Sequence, residues 1–290
     1  MSEYVILSDS CCDLPAELAA KLNIDTVPLI VNYNGVEYKN YLDEREISLS
    51  TFYEGLRKKY PAFTSATNVD MFIEFMTPYL DDGKDIVYIG LSSSLSATFQ
   101  NACIAAKELE EKYPEKKIIC IDSRSASLGE GLLLTLAAKA KEEGSGILEL
   151  KAYIEKTIPL INHWVTVDDL YYLKRGGRMS SATASLASVL NIKPILRVNN
   201  EGKIVAADKV RGRRASIQTL FQKVSDYADN IGKQTVMICH ADCRADADYL
   251  ASMIDSSLKP VEIIINSIGP VVGAHGGPGA LAVFFVGTRR

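Results

Sequence analysis

At 290 residues the chain has room for one large or two ordinary domains. Hydrophobic residues make up 47% and charged residues 23%, a globular composition that excludes disorder. The net charge of -4 excludes nucleic-acid binding through bulk electrostatics, although the basic run from Lys209 to Arg214 needs its own explanation.

The chain opens on Glu3 and the short apolar run Tyr4 to Leu7, with no pattern of a secretory signal. No apolar stretch approaches the ~20 residues of a membrane helix. The six cysteines form no compact disulfide framework, and Cys103 and Cys120 sit in apolar surroundings. A protein of the reducing cytoplasm is expected.

The first predicted strand is Val5 to Leu7, followed by a helix from about Pro15 to Leu22. Asn34-Gly35 between Pro28–Tyr33 and Val36–Tyr38 signals a hairpin. Helical periodicity spans about 51–59 and 70–80. A strand at 86–89, a helix at 96–112, a strand at 117–121 and a helix at 125–143 follow. This alternation predicts a parallel sheet covered by helices. Gly144-Ser145-Gly146 breaks the pattern before a helix at 147–158. Beyond Pro159, strands are expected at 164–167, 204–208, 235–239, 261–266 and 281–286, with helices at 214–228 and 245–254. A domain boundary is expected near residue 160.

Several segments carry groups suited to an anion. Leu91 to Thr98, with five hydroxyls, follows a strand and opens a helix, whose unpaired N–H groups and dipole attract negative charge. Taken singly, each serine there reads first as a cap. Thr64-Ser65-Ala66-Thr67-Asn68 reads as a hydroxyl-rich turn capped by Asn68. Asp9-Ser10-Cys11-Cys12-Asp13 ends the first strand, and Asp13 is expected to cap the next helix. In Leu173-Lys174-Arg175-Gly176-Gly177-Arg178, two glycines between arginines permit close backbone approach, and the guanidinium groups suit a carboxylate or phosphate; a solvated basic turn is the other reading. His275 lies among Gly273, Gly276, Gly277 and Gly279, between two apolar strands, and is the strongest local signal. His163, beside Trp164, reads as a packed histidine. Cys239-His240-Ala241-Asp242-Cys243 lacks a second ligand cluster, so no metal is expected.

In order and spacing, these segments resemble the DegV family of lipid-binding proteins over essentially the whole chain. The matching stretches include Asp9-Ser10, Thr64-Ser65, the Ser-Ser-x-Leu-Ser-x-Thr motif ending at Thr98 and Leu173 to Arg178. They continue through Asn191 to Ile195, Lys209-Val210-Arg211 and the Gly-x-His-x-Gly-Pro-Gly segment around His275. The resemblance implies an α/β fold of two domains, residues 1–160 with a parallel-sheet three-layer core and residues 161–290 with a mixed sheet, and a ligand site between them. It implies one bound long-chain fatty acid, no cofactor and no catalysis by the chain itself. A separate ATP-dependent fatty acid kinase would convert the presented carboxylate to acyl-phosphate for phospholipid synthesis. Transient contact with a membrane or an acyltransferase is compatible with that role.

By motif, Thr64, Ser96 and His275 are the expected carboxylate donors. Arg178 and Arg211 form the expected cationic pair, with Ser65 and Arg175 nearby. Two departures affect local geometry: the family's Thr-Ser-Gln-Pro reads Thr64-Ser65-Ala66-Thr67 here, and its Leu-Ser-Gly-Thr reads Leu95-Ser96-Ala97-Thr98. The physics agrees with the resemblance. A carboxylate leaving water needs charge-assisted partners. An acyl tail of ~16 carbons, at ~0.8 kcal/mol per methylene, supplies on the order of 10 kcal/mol before association costs.

Three rival readings have specific marks. A hydrolase triad could be drawn from Ser96, His275 and Asp9, but no Gly-x-Ser-x-Gly elbow is present. A nucleotide-binding domain would need a Walker A sequence, which is absent. A lipid-sensing regulatory module has no sequence mark that separates it from a carrier.

Overall fold

The structure is a computed structural model that describes residues 3–179 and 191–290. The chain begins β1 (Tyr4–Asp9), α1 (Ala16–Lys21), β2 (Ile24–Val27), β3 (Ile30–Tyr33), β4 (Val36–Lys39) and α2 (Leu49–Arg57). Next come β5 (Ala62–Ser65), α3 (Val69–Asp81), β6 (Asp85–Gly90), α4 (Thr98–Lys112), β7 (Ile118–Asp122), α5 (Leu128–Glu142) and α6 (Ile147–Thr157). The remainder runs β8 (Ile161–Thr166), α7 (Tyr171–Arg175), β9 (Ile192–Val198), β10 (Ile204–Arg211) and α8 (Arg213–Tyr227), then β11 (Thr235–His240), α9 (Arg244–Leu258), β12 (Glu262–Ser267), α10 (Pro270–Gly276) and β13 (Leu281–Val286).

The first sheet is parallel, in the order β2-β1-β6-β7. Every residue of β6 is buried, as expected of a central parallel strand covered on both faces. Phe72 and Met76 of α3 and Ala102 of α4 pack on one face, against Leu7 and Tyr88. On the other face lies α5, against β1 and β6. The same helix packs against β8, β11 and β13 of the second sheet. Its residues from Leu128 to Leu134 are all buried, the signature of a helix enclosed on every side.

The second sheet has the order β10-β9-β8-β13-β11-β12. Its β11–β12 pair is parallel and its other pairs are antiparallel, so the sheet is mixed. Leu220, Val224, Leu250 and Ile254 from α8 and α9 close its far face. The fold is thus α/β with one parallel and one mixed sheet. A third, small antiparallel sheet, β4-β3-β5, stands beside them. Asn34 (φ 52) and Gly35 (φ 83) turn its hairpin in the left-handed region that such a two-residue loop needs. Among the described residues no helix is long and apolar enough to cross a membrane, and all six cysteines are free thiols.

Two local expectations need correction, and two elements add to those expected. Thr64 and Ser65 are not in a turn: they end strand β5, because pairing of Thr64 with Val31 on β3 overrides their turn-like composition. Residues 192–198, not expected as a strand, form β9. Pro194 disguised it, yet Pro194 lies outside the stretch that pairs with β8 (Ile195, Leu196, Arg197). The glycine-rich segment around His275 is helical. Pro270 starts α10 and Gly277, at φ 73, stops it. Asp13 does not cap α1, whose N-cap is Pro15. Its carboxylate instead accepts from the Gly269 N–H (2.9 Å) and from the Ser127 hydroxyl, tying the end of β1 to the starts of α10 and α5.

Candidate ligand-binding site

A cavity of about 250 Å³ lies between the inner face of the mixed sheet, α10 and the loops that follow β6 and β7. Alternation along the strands builds its floor. Successive inward positions His163, Val165 and Val167 come from β8 and the residue just beyond it, and Ala280, Ala282 and Phe284 come from β13 and the residue just before it. Leu29, Leu91 and Leu95 contribute further apolar surface. Among the described residues the lining contains Arg178 and Arg197 but no carboxylate. An apolar cavity with a few converging polar groups and cations, and no negative charge, is suited to an amphiphilic anion.

The polar groups gather where α10, α7 and β5 meet. The Thr64 hydroxyl and His275 Nε2 are 2.8 Å apart. His275 Nδ1 is buried without a partner. Burial first, then the positive charges of Arg178 and Arg175, push the His275 imidazole down to about 4, so the ring is neutral at pH 7. Gly176 lies against it: a Cβ there would sit 2.1 Å from Nδ1. The Arg178 Nε donates to the Leu95 carbonyl (3.0 Å), and its Nη1 donates to the Gly176 carbonyl. These bonds hold the guanidinium in the cavity wall with donor capacity remaining.

The other expected site residues fall into three groups. Ser96 lines the cavity, and its hydroxyl also accepts from the Thr98 N–H (3.2 Å) at the start of α4. Ser65 lines the cavity from an exposed position. Arg175 is not in the lining. It donates to the carbonyls of Ala62 (3.1 Å) and Ala274 (3.3 Å) and lies over the Phe63, Tyr171 and Tyr172 rings, so it joins β5 to α10. Arg211 is exposed on β10, opposite Ile192 of β9, and is not in the lining either.

Two readings of the sequence find no support in the contacts. The components of the drawn triad are apart: His275 pairs with Thr64, while Asp9 accepts from the Tyr88 hydroxyl (2.8 Å) and the N–H groups of Leu91 and Cys11. Ser92 and Ser94 are fasteners. Their hydroxyls donate to the carbonyls of Gly202 (2.9 Å) and Glu201 (2.6 Å) in the β9–β10 turn, seating that hairpin on the loop after β6. Among the described residues no cluster of His, Cys, Asp or Glu is arranged to hold a metal. Sequence reasoning treated His163 as mere packing and missed Val165, Val167 and Phe284. Their period-two spacing marks one strand face, but only the packing reveals that the face borders a cavity.

Fold and cavity together define a class, an α/β protein that encloses an apolar chamber with hydroxyl, imidazole and guanidinium groups at one end. The chain belongs to the DegV family: the model of that family, described as uncharacterised proteins, matches residues 3–288. A DegV domain-containing protein of Clostridium perfringens is 41% identical over 290 residues, covering 100% of this chain and 99% of that protein. Among solved structures, a fatty-acid-binding DegV family protein of Thermus thermophilus has a TM-score of 0.89 at 27% identity, covering 99% of this chain and 100% of its own. DegV of Bacillus subtilis, also a fatty-acid-binding protein, has a TM-score of 0.86 at 26% identity with the same coverage.

Proposed function

We propose that this chain binds one long-chain fatty acid, with its tail in the cavity and its carboxylate at Thr64, Ser96 and His275, beside Arg178. The observation that carries the reading is the Thr64–His275 pair at one end of an apolar cavity whose described lining has arginines and no carboxylate. Fatty-acid binding by the Thermus and Bacillus relatives supports it. Ser65 is the exposed hydroxyl at the mouth, and Arg175 positions α10. Arg211 is left for the phosphorylated head group or for a partner enzyme. Residues 1–160 and 161–290 are the two domains, with the ligand between them.

The chain itself performs no catalysis and uses no cofactor. It presents the carboxylate to a separate ATP-dependent kinase in the cytoplasm, which forms acyl-phosphate for phospholipid synthesis. Transient contact with a membrane or an acyltransferase completes the transfer. The pairing of His275 with Thr64, of Ser96 with Thr98 and of Asp9 with Tyr88 supports a carrier over a hydrolase.

The test is direct. The purified protein is denatured and its released small molecules are identified by mass spectrometry. A fatty acid at about one per chain is expected; an empty protein with no affinity for added fatty acids sinks the proposal. Adding the purified kinase and ATP to the loaded protein should then yield acyl-phosphate, with His275→Ala reducing that yield more than it reduces lipid retention.

A further inference from the structure

We infer that the β9–β10 hairpin is the wall that sets the longest acyl chain the cavity accepts, and that Ser92, Ser94, Arg124 and Arg290 are the positioning residues that hold this wall shut. This rests on the fatty-acid reading above and narrows its ligand class by chain length.

Successive carbonyls of the turn each accept a hydrogen bond from a side chain outside the hairpin. Arg290 Nη1 donates to Asn199 (3.2 Å), Arg124 Nη1 to Asn200 (3.2 Å), the Ser94 hydroxyl to Glu201 (2.6 Å) and the Ser92 hydroxyl to Gly202 (2.9 Å). The carbonyls of a surface turn are ordinarily left to water. Ser92 and Ser94 come from the loop after β6 and Arg124 from the loop after β7, so the clasp ties the mixed sheet to the parallel sheet. Arg290 backs it. Its Nε donates to the Ile161 carbonyl (2.8 Å), its Nη1 also to the Arg124 carbonyl (2.8 Å) and its Nη2 to the Ser125 hydroxyl (3.3 Å). The seating is close: a Cβ on Gly202 would stand 2.1 Å from the Ser92 hydroxyl oxygen and 3.1 Å from the Arg124 Cα.

The clasp holds the strand ends that border the cavity. Val198, just before the turn, and Ile204, just after it, pair with each other, and both line the cavity. Leu91 and Ala126, from the loops that supply the clasp, line it too. The head-group residues lie at the Val167 end of the floor, because α7 follows β8 and α10 precedes β13 there. Trp164 pairs with Arg197, which puts Val198 level with His163, roughly 13 Å of strand from Val167. A tail running from the head group along the floor therefore ends against Val198 and Ile204. Asn200, Glu201 and Lys203 are exposed, so the turn has water on its outer side. Held, the hairpin leaves a longer tail no room, and forcing extra methylenes into packed space is unfavourable. Released, it swings outward and the tail extends.

The test offers lipid-free protein an equimolar mixture of tetradecanoic, hexadecanoic, octadecanoic, eicosanoic and docosanoic acids and measures the retained acids by mass spectrometry. It compares the wild type with the combined Ser92→Ala and Ser94→Ala variant. The wild type should retain acids up to a limiting length and exclude the longer ones. Each methylene that finds room strengthens binding about fourfold, so space for two more should raise the share of acids beyond that limit roughly tenfold in the variant. A purely structural role for the serines would lower capture of every length and leave the proportions unchanged. Unchanged proportions, or a wild type with no upper limit among these acids, overturn the inference and leave the fatty-acid reading intact. A wild type that retains none of them overturns both. Should the double variant fold poorly, Arg124→Met, at an exposed side chain, takes its place with the same expected shift. Unchanged proportions there overturn the inference equally.

Discussion

Thr64 and His275 lie 211 residues apart in the chain, yet the hydroxyl of one and the Nε2 of the other are joined by a 2.8 Å hydrogen bond. One residue ends a strand of the smallest sheet and the other sits in the last turn of a seven-residue helix. The bond fixes the plane of an imidazole whose second nitrogen has no partner. Replacing Thr64 with Val keeps the shape and removes the hydroxyl. Fatty-acid affinity should fall roughly three- to tenfold, the worth of one hydrogen bond, while the unfolding midpoint changes little. Competitive displacement of a fluorescent fatty acid measures this, and unchanged affinity would show that the pair does not serve the head group.

The imidazole of His275 makes stability depend on pH in a defined direction. It protonates near 4 in the folded chain and near 6.5 when unfolded. Between those values the unfolded state holds more protons, so this contribution is complete above pH 6.5 and is lost as pH falls toward 4. Its full size is on the order of 3 kcal/mol. His163, lowered chiefly by burial, acts in the same direction. Asp13 acts oppositely: burial raises it to about 7, so its contribution is largest in acid and is lost as pH rises through 7. His275→Gln should therefore lose less stability than the wild type between pH 7.5 and pH 4.5. Urea midpoints at the two pH values read the difference, and parallel losses would rule out His275 as the titrating group.

Gly176 is a steric requirement. Its Cβ position is 2.1 Å from His275 Nδ1, so Gly176→Ala must displace the ring or the α7 terminus. A cost of about 1–3 kcal/mol in unfolding free energy is expected, with weaker fatty-acid binding alongside. Full affinity in a variant that also keeps wild-type stability would contradict the close packing.

The β9–β10 turn is held by hydroxyls from the serine-rich loop, through Ser92 to Gly202 and Ser94 to Glu201. Arg124 adds a third contact, to the Asn200 carbonyl at 3.2 Å. Combined Ser92→Ala and Ser94→Ala should free the turn, since each bond contributes about 0.5–1.5 kcal/mol. Amide hydrogen exchange at Asn199 to Lys203 should accelerate roughly tenfold or more, with little change in the parallel sheet. Exchange equally slow in the variant would mean that other contacts hold the turn.

Much of this was legible in the residues themselves. The apolar run of β6 announced a buried parallel strand, Asn34-Gly35 announced its hairpin, and Asn68 caps α3 through the Met71 N–H at 2.9 Å. Thr64, Ser96, Arg178 and His275 were singled out from short motifs, and all four line the cavity. What stayed hidden depends on which way a residue faces. Arg178 and Arg211 look alike in sequence, but one is built into the cavity wall and the other points from an exposed strand. Asp13 has the composition of a helix cap and instead joins three elements through partners 114 and 256 residues away. Such long-range partners leave no local periodicity to read.

Helix α5 has parallel sheet on one side and mixed sheet on the other, with Leu132, Leu133 and Leu134 all buried. Neither sheet can lose that helix without exposing its own core, and neither can hold it alone without leaving the helix's opposite face in water. Melting of either sheet therefore undermines the other. Heat or denaturant should unfold the described parts of the molecule in one cooperative transition.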